Sequence, residues 1–444
     1  MPGEPTSRAG LGEVFRVREF RALWTAEVVS VAGDQLARVA LTVLVYGRTG
    51  SAAWAALTYA LTFLPALLGG ILLARLADRH PRRELMIAVD LARAGLVAAM
   101  AAPGLPLPAL CGLLVVVVLL APAHSAAQGA LLPEVLAGPR LEAGLAVRQI
   151  TNQAAQVAGF AAGGLVVAAV GPPAALAVNA ATFAVSALVL RLGVAARARS
   201  AAPPAAGEDG EAGPARSPAS WRTDVREGLR AVLCHPYRRV LAAAVWLVGC
   251  YVVPEALAVP YAAELGAGPA VVGLLMAADP AGSVVGAWLF MRFVPIATRQ
   301  RALGPLAVLA GVPLALCAFT PGVAASVALW AAAGACATAC LVQAQADFVR
   351  ATPDVLRGRA IGVAASGLIT AQGVAVLLGG LAAEVWGARA AVVGCGVLGA
   401  VVAVGLALAL GPARRHAGTG TGEVAGTGGQ AIDQATRTST PGTS

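Results

Sequence analysis

The chain has 444 residues, of which 58% are hydrophobic and 12% charged, with a mean hydropathy of +0.76. A soluble domain carries about 25% charged residues, so the composition excludes an ordinary soluble fold and points to an integral membrane protein. The formal charge is +9 and every basic residue is arginine; the arginines sit in short segments between apolar runs, which is a pattern of membrane orientation and not of nucleic-acid binding.

A helix needs about 20 apolar residues to cross a bilayer. Twelve runs qualify, at 22–46, 53–74, 85–102, 107–131, 145–170 and 174–192, then at 240–261, 270–293, 302–319, 323–345, 358–385 and 388–410. They are helices 1 to 12. The chain therefore divides into an N-terminal segment (1–21), a first six-helix half (22–195), a linker (196–237), a second half (238–410) and a tail (411–444). Residues 1–21 are polar, with no apolar core of a cleaved signal peptide. The linker is rich in Ala, Pro, Gly and charge and reads as flexible up to Ser220. After it, Trp221, Val225, Leu229, Val232 and Leu233 share one helical face, which predicts a short amphipathic helix under the membrane. The Gly/Thr-rich tail is expected to be disordered.

Arginine clusters in the N-terminal segment, in the even-numbered loops and at Arg414 and Arg415, while the odd-numbered loops offer little beyond Arg48 and Arg389. Both termini and all even loops are thereby expected in the cytoplasm, and the protein in the plasma membrane.

The halves repeat. Gln156 is followed by Gly163-Gly164 and then Gly171; Gln372 is followed at the same spacings by Gly379-Gly380 and Gly387. Upstream, Leu132-Pro133-Glu134-Val135-Leu136 mirrors Thr352-Pro353-Asp354-Val355-Leu356. Helix 5 thus matches helix 11, as in a parallel six-plus-six duplication. Gly159, Gly163, Gly164, Gly379 and Gly380 present small surfaces on which neighbouring helices can pack closely.

Ionisable groups inside the bilayer are costly and are candidates for function. Asp34 lies mid-helix 1, with Arg38 one turn on and able to pair with it. Glu255 follows Pro254 in helix 7, with Pro260 beyond, and Asp279 precedes Pro280 in helix 8; proline-broken helices in corresponding places point to a binding site. Arg148, Asn152 and Gln156 form one stripe on helix 5, beside Gln149, and with His124 and Gln128 of helix 4 they can hydrogen-bond a polar ligand or each other. The cysteines show no metal spacing; neither a P-loop, an H-E-x-x-H nor a Gly-x-Ser-x-Gly motif occurs, so no enzyme activity, cofactor or metal is expected.

The loop after helix 2, Ala74-Arg-Leu-Ala-Asp-Arg-His-Pro-Arg-Arg83, holds five charged side chains and a proline and must lie outside the hydrocarbon. It resembles the G-x-L-a-D-r-x-G-R-R signature of the major facilitator superfamily between helices 2 and 3. Asp78, Arg79, Arg82 and Arg83 fall on the pattern; Ala74 and Pro81 stand where the family prefers glycine. Asp90 and Arg93 resemble a D-x-x-R element that accompanies this loop in exporters. Helix 5 resembles the exporters' g-x-x-x-G-P-x-x-G-G motif, with Phe160 in place of its proline, and helix 4 lacks the arginine motif of many proton antiporters. Across Val14 to Leu410 the chain is similar to the enterobactin and macrolide exporter branch.

The resemblance implies an all-α membrane protein of twelve transmembrane helices in two six-helix pseudo-symmetric halves around a central cavity. It implies secondary transport of a small amphipathic molecule by alternating access, with protons as the coupling ion, the lipid bilayer as surroundings and a monomer as the working unit. A gate linking Asp78, Arg82, Asp90 and Arg93 is expected on the cytoplasmic side, with Asp78 approaching the N-terminus of helix 11 when that side is shut. Two alternatives stand beside export: a uniporter or importer of the same fold, and a membrane sensor or scaffold that moves nothing.

Overall fold

A computed structural model of the chain describes residues 12–197, 218–319 and 322–437, and among them every regular element is helical. Among the described residues, ten helices are long and apolar enough to cross a membrane. One of these, Pro139–Gly193, is helices 5 and 6 run together across a break at Gly171, where φ is 80° and ψ 165°. Arg82–Met100, more polar because it carries Glu84, Asp90 and Arg93, completes the set of twelve.

The first half comprises helix 1 (Arg18–Thr49), helix 2 in two pieces (Ala52–Ala60 and Leu64–Arg79), helix 3 (Arg82–Met100), helix 4 (Leu107–Val135), and helices 5 and 6. A linker helix, Pro218–Leu233, follows. The second half has helix 7 in three pieces (Pro236–Cys250, Val253–Ala256 and Ala258–Glu264), helix 8 (Pro269–Phe293), helix 9 (Ile296–Leu316), helix 10 (Val323–Arg350), helix 11 (Asp354–Trp386) and helix 12 (Ala388–Arg437). Most helices outrun their apolar cores by a turn or more, because helix propagation continues into polar flanks once a span has nucleated it.

Three differences from expectation have physical reasons. Helix 7 breaks beside Pro254, as its prolines require, but helix 8 runs unbroken through Pro280. Its Asp279 lies against Gly334 of helix 10, so the packing of helices 8 and 10 holds the segment straight. Helix 2 breaks instead, just ahead of Pro65. The tail, expected without structure, continues helix 12 to Arg437; it needs no new nucleus, and no proline follows Pro412 until Pro441.

The duplication is visible in backbone geometry. Gly171 and Gly387 end the two repeats in nearly the same left-handed conformation, φ 80° and 87°, which a side chain would strain. Gly163 packs on Leu36 of helix 1 and its counterpart Gly379 on Val253 of helix 7, each within its own half. Gly164 packs on Gly273 of helix 8 and its counterpart Gly380 on Ala56 of helix 2, each across the halves. Gly159 approaches Ala32 of helix 1.

The N- and C-terminal ends of the described chain lie at one end of the bundle, the terminus side; the other is the far side. Contacts between halves gather on the far side, at the C-terminal ends of helices 5 and 11 and the N-terminal ends of helices 8 and 2. Toward the terminus side these contacts run out: helix 11 packs along the first piece of helix 2 far more than along the second. The far side is closed. Around the perimeter, exposed side chains such as Leu72, Trp288, Leu398 and Leu408 form an apolar belt facing lipid.

The linker helix leans on helix 11. Gly228 lies against Arg359 and Val363, and Glu227 is paired with Arg359.

Candidate functional site

Three polar clusters among the described residues make up the candidate site. The first is wholly within the first half. Gly33 admits helix 6 so closely that a Cβ there would stand 2.2 Å from Thr182 Oγ1. The close approach places Asp34 on the wall of a cavity of about 240 Å³, shared with Arg38, Arg93 and Asn179. Arg93 Nη2 donates to both carboxylate oxygens of Asp34, at 3.1 and 3.0 Å, and its guanidinium lies 4.1 Å from the centre of the Phe183 ring. One turn back on helix 3, Asp90 is fully buried, accepts from Ser186 Oγ at 2.6 Å and faces His124 Nε2 at 3.5 Å.

The second cluster lies nearer the terminus side. Arg148 grips Glu27 with two hydrogen bonds, Nε to Oε2 at 2.6 Å and Nη2 to Oε1 at 2.8 Å, and Gln128 Nε2 donates to Oε2 at 3.0 Å. This two-pronged geometry is the strong form of a carboxylate–guanidinium pair.

The third cluster joins the halves. Glu255 sits on the short middle piece of broken helix 7 and is 8% exposed. It accepts a hydrogen bond from the hydroxyl of Tyr59 in helix 2, which is buried. The Arg38 guanidinium lies 5.8 Å from the centre of the Tyr59 ring and 5.7 Å from that of Phe63, within electrostatic reach of Glu255. Asp279 of helix 8 is also within electrostatic reach of Glu255. Farther out, Glu384 of helix 11 accepts from Ser51 Oγ at 2.9 Å and from the Ala53 amide at 3.1 Å, closing the N-terminus of helix 2 from across the halves. A carboxylate there meets unpaired amides and the positive end of the helix.

The expected pairings are rearranged. Asp34 pairs with Arg93 rather than Arg38, whose guanidinium turns to the Tyr59 and Phe63 rings. The stripe of helices 4 and 5 divides: Gln128 and Arg148 meet on Glu27, while His124 goes to Asp90. Gln156 donates to Gln153, Asn152 is half-buried and Gln149 is exposed. The expected gate is also divided. Arg82 bonds the Ala130 carbonyl and Glu134, and Arg83 the Arg191 carbonyl and Glu84, while Arg79 is exposed at the end of helix 2. Asp90 is eight residues farther along helix 3 than Arg82, about 12 Å at 1.5 Å per residue, and so belongs to the interior. The side chain of Asp78 lies outside the described residues. Glu27, Tyr59, Ser186 and Glu384 were not singled out in the sequence. Glu27 carried a usable signal, since it stands seven residues before Asp34 on the same helical face.

Among the described residues, no group of three or more His, Cys, Asp or Glu side chains is placed to hold a metal ion. Glu27, Asp34, Asp90 and Glu255 each accept from a donor on another helix, and the Glu255 link spans the two halves.

Solved structures share this fold. A bacterial homologue of the human lysosomal transporter Spinster, crystallised inward-facing and occupied, superposes with a TM-score of 0.69 at 14% identity, covering 90% of this chain and 97% of its own. The POT family transporter PepTSo matches with a TM-score of 0.66 at 10% identity, covering 91% and 99%. A bacterial homologue of the iron transporter ferroportin, inward-facing, matches with 0.62 at 15%, covering 88% and 98%. No curated protein matches the sequence. The family model of the Major Facilitator Superfamily matches residues 23–259 and 241–438. With twelve helices in two pseudo-symmetric halves and that match over nearly its whole length, the chain belongs to the major facilitator superfamily of membrane transporters.

Proposed function

We propose that this transporter exports a small amphipathic molecule, a drug, siderophore or secondary metabolite, across the plasma membrane in exchange for protons. Both termini face the cytoplasm and the working unit is a monomer. The observation that carries the reading is the Glu255–Tyr59 hydrogen bond between halves, with Arg38 beside it.

An ionised Glu255 holds Tyr59 by a charge-assisted bond and draws Arg38 toward the same point, which pins the far side shut. A protonated Glu255 offers only a neutral bond, about half as strong. A proton or a cationic group of the substrate relieves the pin, and neither is needed while the other is present. That mutual exclusion makes an exchanger. The halves rock when the acid is satisfied and stay locked when it is bare. Asp34 and Arg93 keep helices 1 and 3 together through the cycle, so Asp34 positions the cavity wall and Glu255 carries the proton. One charge crossing 100 mV yields about 2.3 kcal/mol, enough for a roughly fiftyfold substrate gradient.

The test uses everted vesicles and a panel of fluorescent amphipathic cations. Glu255→Gln is expected to abolish uphill accumulation driven by an imposed pH gradient while retaining substrate-for-substrate exchange. Accumulation at the wild-type rate in that variant would falsify the assignment. Uptake in the opposite direction under the same gradient would make the protein an importer.

A further inference from the structure

Where helices 8, 9 and 10 meet on the terminus side there is a cleft of about 380 Å³ that the transport reading does not use. Two arginines line it, and both are fixed in place. Arg299 donates Nε to the Val294 carbonyl at 3.0 Å and Nη2 to the Met291 carbonyl at 2.8 Å, closing the last turn of helix 8. Arg350 donates Nε to the Ala346 carbonyl at 3.3 Å and Nη2 to Asp347 Oδ1 at 3.0 Å. Among the described residues, neither Arg299 Nη1 nor Arg350 Nη1 makes a hydrogen bond within the protein. Gln343 lines the same cleft, is 3% exposed, and its Nε2 has no partner. A buried amide donor without an acceptor is unfavourable, so a ligand oxygen at that point is favoured.

The wall of the cleft that turns to the bilayer is apolar, and its Met291, Ile296 and Val342 are exposed. Held guanidiniums above an apolar, lipid-facing wall suit a molecule with an anionic head and a hydrocarbon body. Charge favours a net negative head. Arg292 and Arg301 stand beside its lining residues in the chain, no acid lines it, and the neighbouring Asp347 is engaged through Oδ1 by Arg350 and Gln300, its Oδ2 having no partner. A choline or ethanolamine cation would find no partner on the walls.

We propose that this cleft binds the phosphodiester headgroup of an anionic phospholipid, with Arg299, Arg350 and Gln343 as its donors and the acyl chains along Met291, Ile296 and Val342. Asp347 is a positioning residue that fixes Arg350. The site depends on membrane insertion alone and stands whether or not the protein exports.

The experiment is native mass spectrometry and thermal melting of the purified full chain in detergent, titrated with phosphatidylglycerol, phosphatidylcholine of the same chains, or sn-glycerol 3-phosphate. Phosphatidylglycerol is expected to be retained and to raise the melting temperature at concentrations where phosphatidylcholine and the soluble phosphate do neither. Arg299→Gln and Arg350→Gln are each expected to weaken retention by about tenfold, the scale of one charge-assisted contact. Gln343→Leu should weaken it less, and Arg140→Gln, in the first half and away from the cleft, should leave it unchanged. Equal retention of phosphatidylcholine overturns the anionic assignment. Full competition by sn-glycerol 3-phosphate overturns a lipid in favour of a soluble anion. Unchanged phosphatidylglycerol retention in the Arg299→Gln/Arg350→Gln double variant overturns the site. The lipid comparison on the wild-type chain decides the first two points even if a variant fails to fold.

Discussion

Adjacent glycines in helix 5 offer a test of how this molecule closes. Gly164 faces the other half: a methyl there would stand 2.7 Å from Gly273 Cα and 2.8 Å from the Pro269 carbonyl oxygen, where ordinary contact begins near 3.4 Å. The obstacles are backbone, so no rotamer change relieves them; helices 5 and 8 must separate by about 0.7 Å or more. Overpacking of this kind costs about 1–3 kcal/mol, and it is felt only while the far side is shut. Gly164→Ala is therefore expected to shift the equilibrium toward far-side opening by roughly five- to 150-fold. Folding should not suffer, because alanine favours helix over glycine by about 1 kcal/mol in every state. Gly163→Ala provides the contrast. Its methyl would meet Leu36 Cα at 2.9 Å inside the first half, in contacts kept by all states. It should lower the melting temperature and leave the equilibrium alone. Hydrogen–deuterium exchange reads both: Gly164→Ala should speed exchange in peptides covering 51–60 and 268–275, and Gly163→Ala should not. If both variants merely lower the melting temperature, with far-side exchange unchanged, the glycine seam is ordinary packing and the reasoning fails.

Glu384→Ala removes the acceptor that closes helix 2 from the opposite half. A charge at a helix terminus contributes about 0.3–1 kcal/mol, so exchange at residues 51–55 should rise roughly two- to fivefold, and an effect no larger than that of a nearby exposed substitution would count against the latch. Asp34→Leu should destabilise the fold by leaving Arg93 buried and unpaired, by less than the 3–5 kcal/mol of a fully buried pair because the Asp34 side chain is 34% exposed. Adding Arg93→Leu should restore part of the loss, giving a coupling of about 0.5–3 kcal/mol in a thermal double-mutant cycle; strictly additive losses would show that the pair does not act as a unit.

The fold was legible because the membrane simplifies the code. Twelve apolar runs and a glycine pattern repeated at fixed spacing determine the number of helices and their duplication before any contact is known, since only helices or closed barrels satisfy the backbone in lipid. The acids were legible for the same reason: Asp34, Asp90 and Glu255 stand out in apolar surroundings. Their partners were not. Asp34 finds Arg93 59 residues away, Asp90 finds Ser186 at 96 and Glu255 finds Tyr59 at 196. A local rule offered Arg38 to Asp34 at i,i+4, and tertiary packing overrode it. Serine and tyrosine inside apolar helices carry no mark that separates a hydrogen-bond partner from a filler.

That asymmetry follows from how the protein is assembled. Each half is tied internally by polar pairs that need not break: Glu27 with Arg148, Asp34 with Arg93 and Asp90 with Ser186 in the first, Gln300 with Asp347, Thr338 with Ser283 and Tyr261 with Ser326 in the second. Between the halves the contacts are of another kind. They are glycine and alanine surfaces that part without leaving a buried charge, together with a few hydrogen bonds centred on Glu255 and Glu384. Dispersion contacts between small residues are weak individually and have no directional requirement, so the seam can open at low cost. Only its carboxylate links depend on charge. On the proposed cycle, internal strength and a weak, charge-sensitive seam would let two rigid bodies move against each other while remaining folded, and control of that motion would fall to the two acids whose bonds cross it.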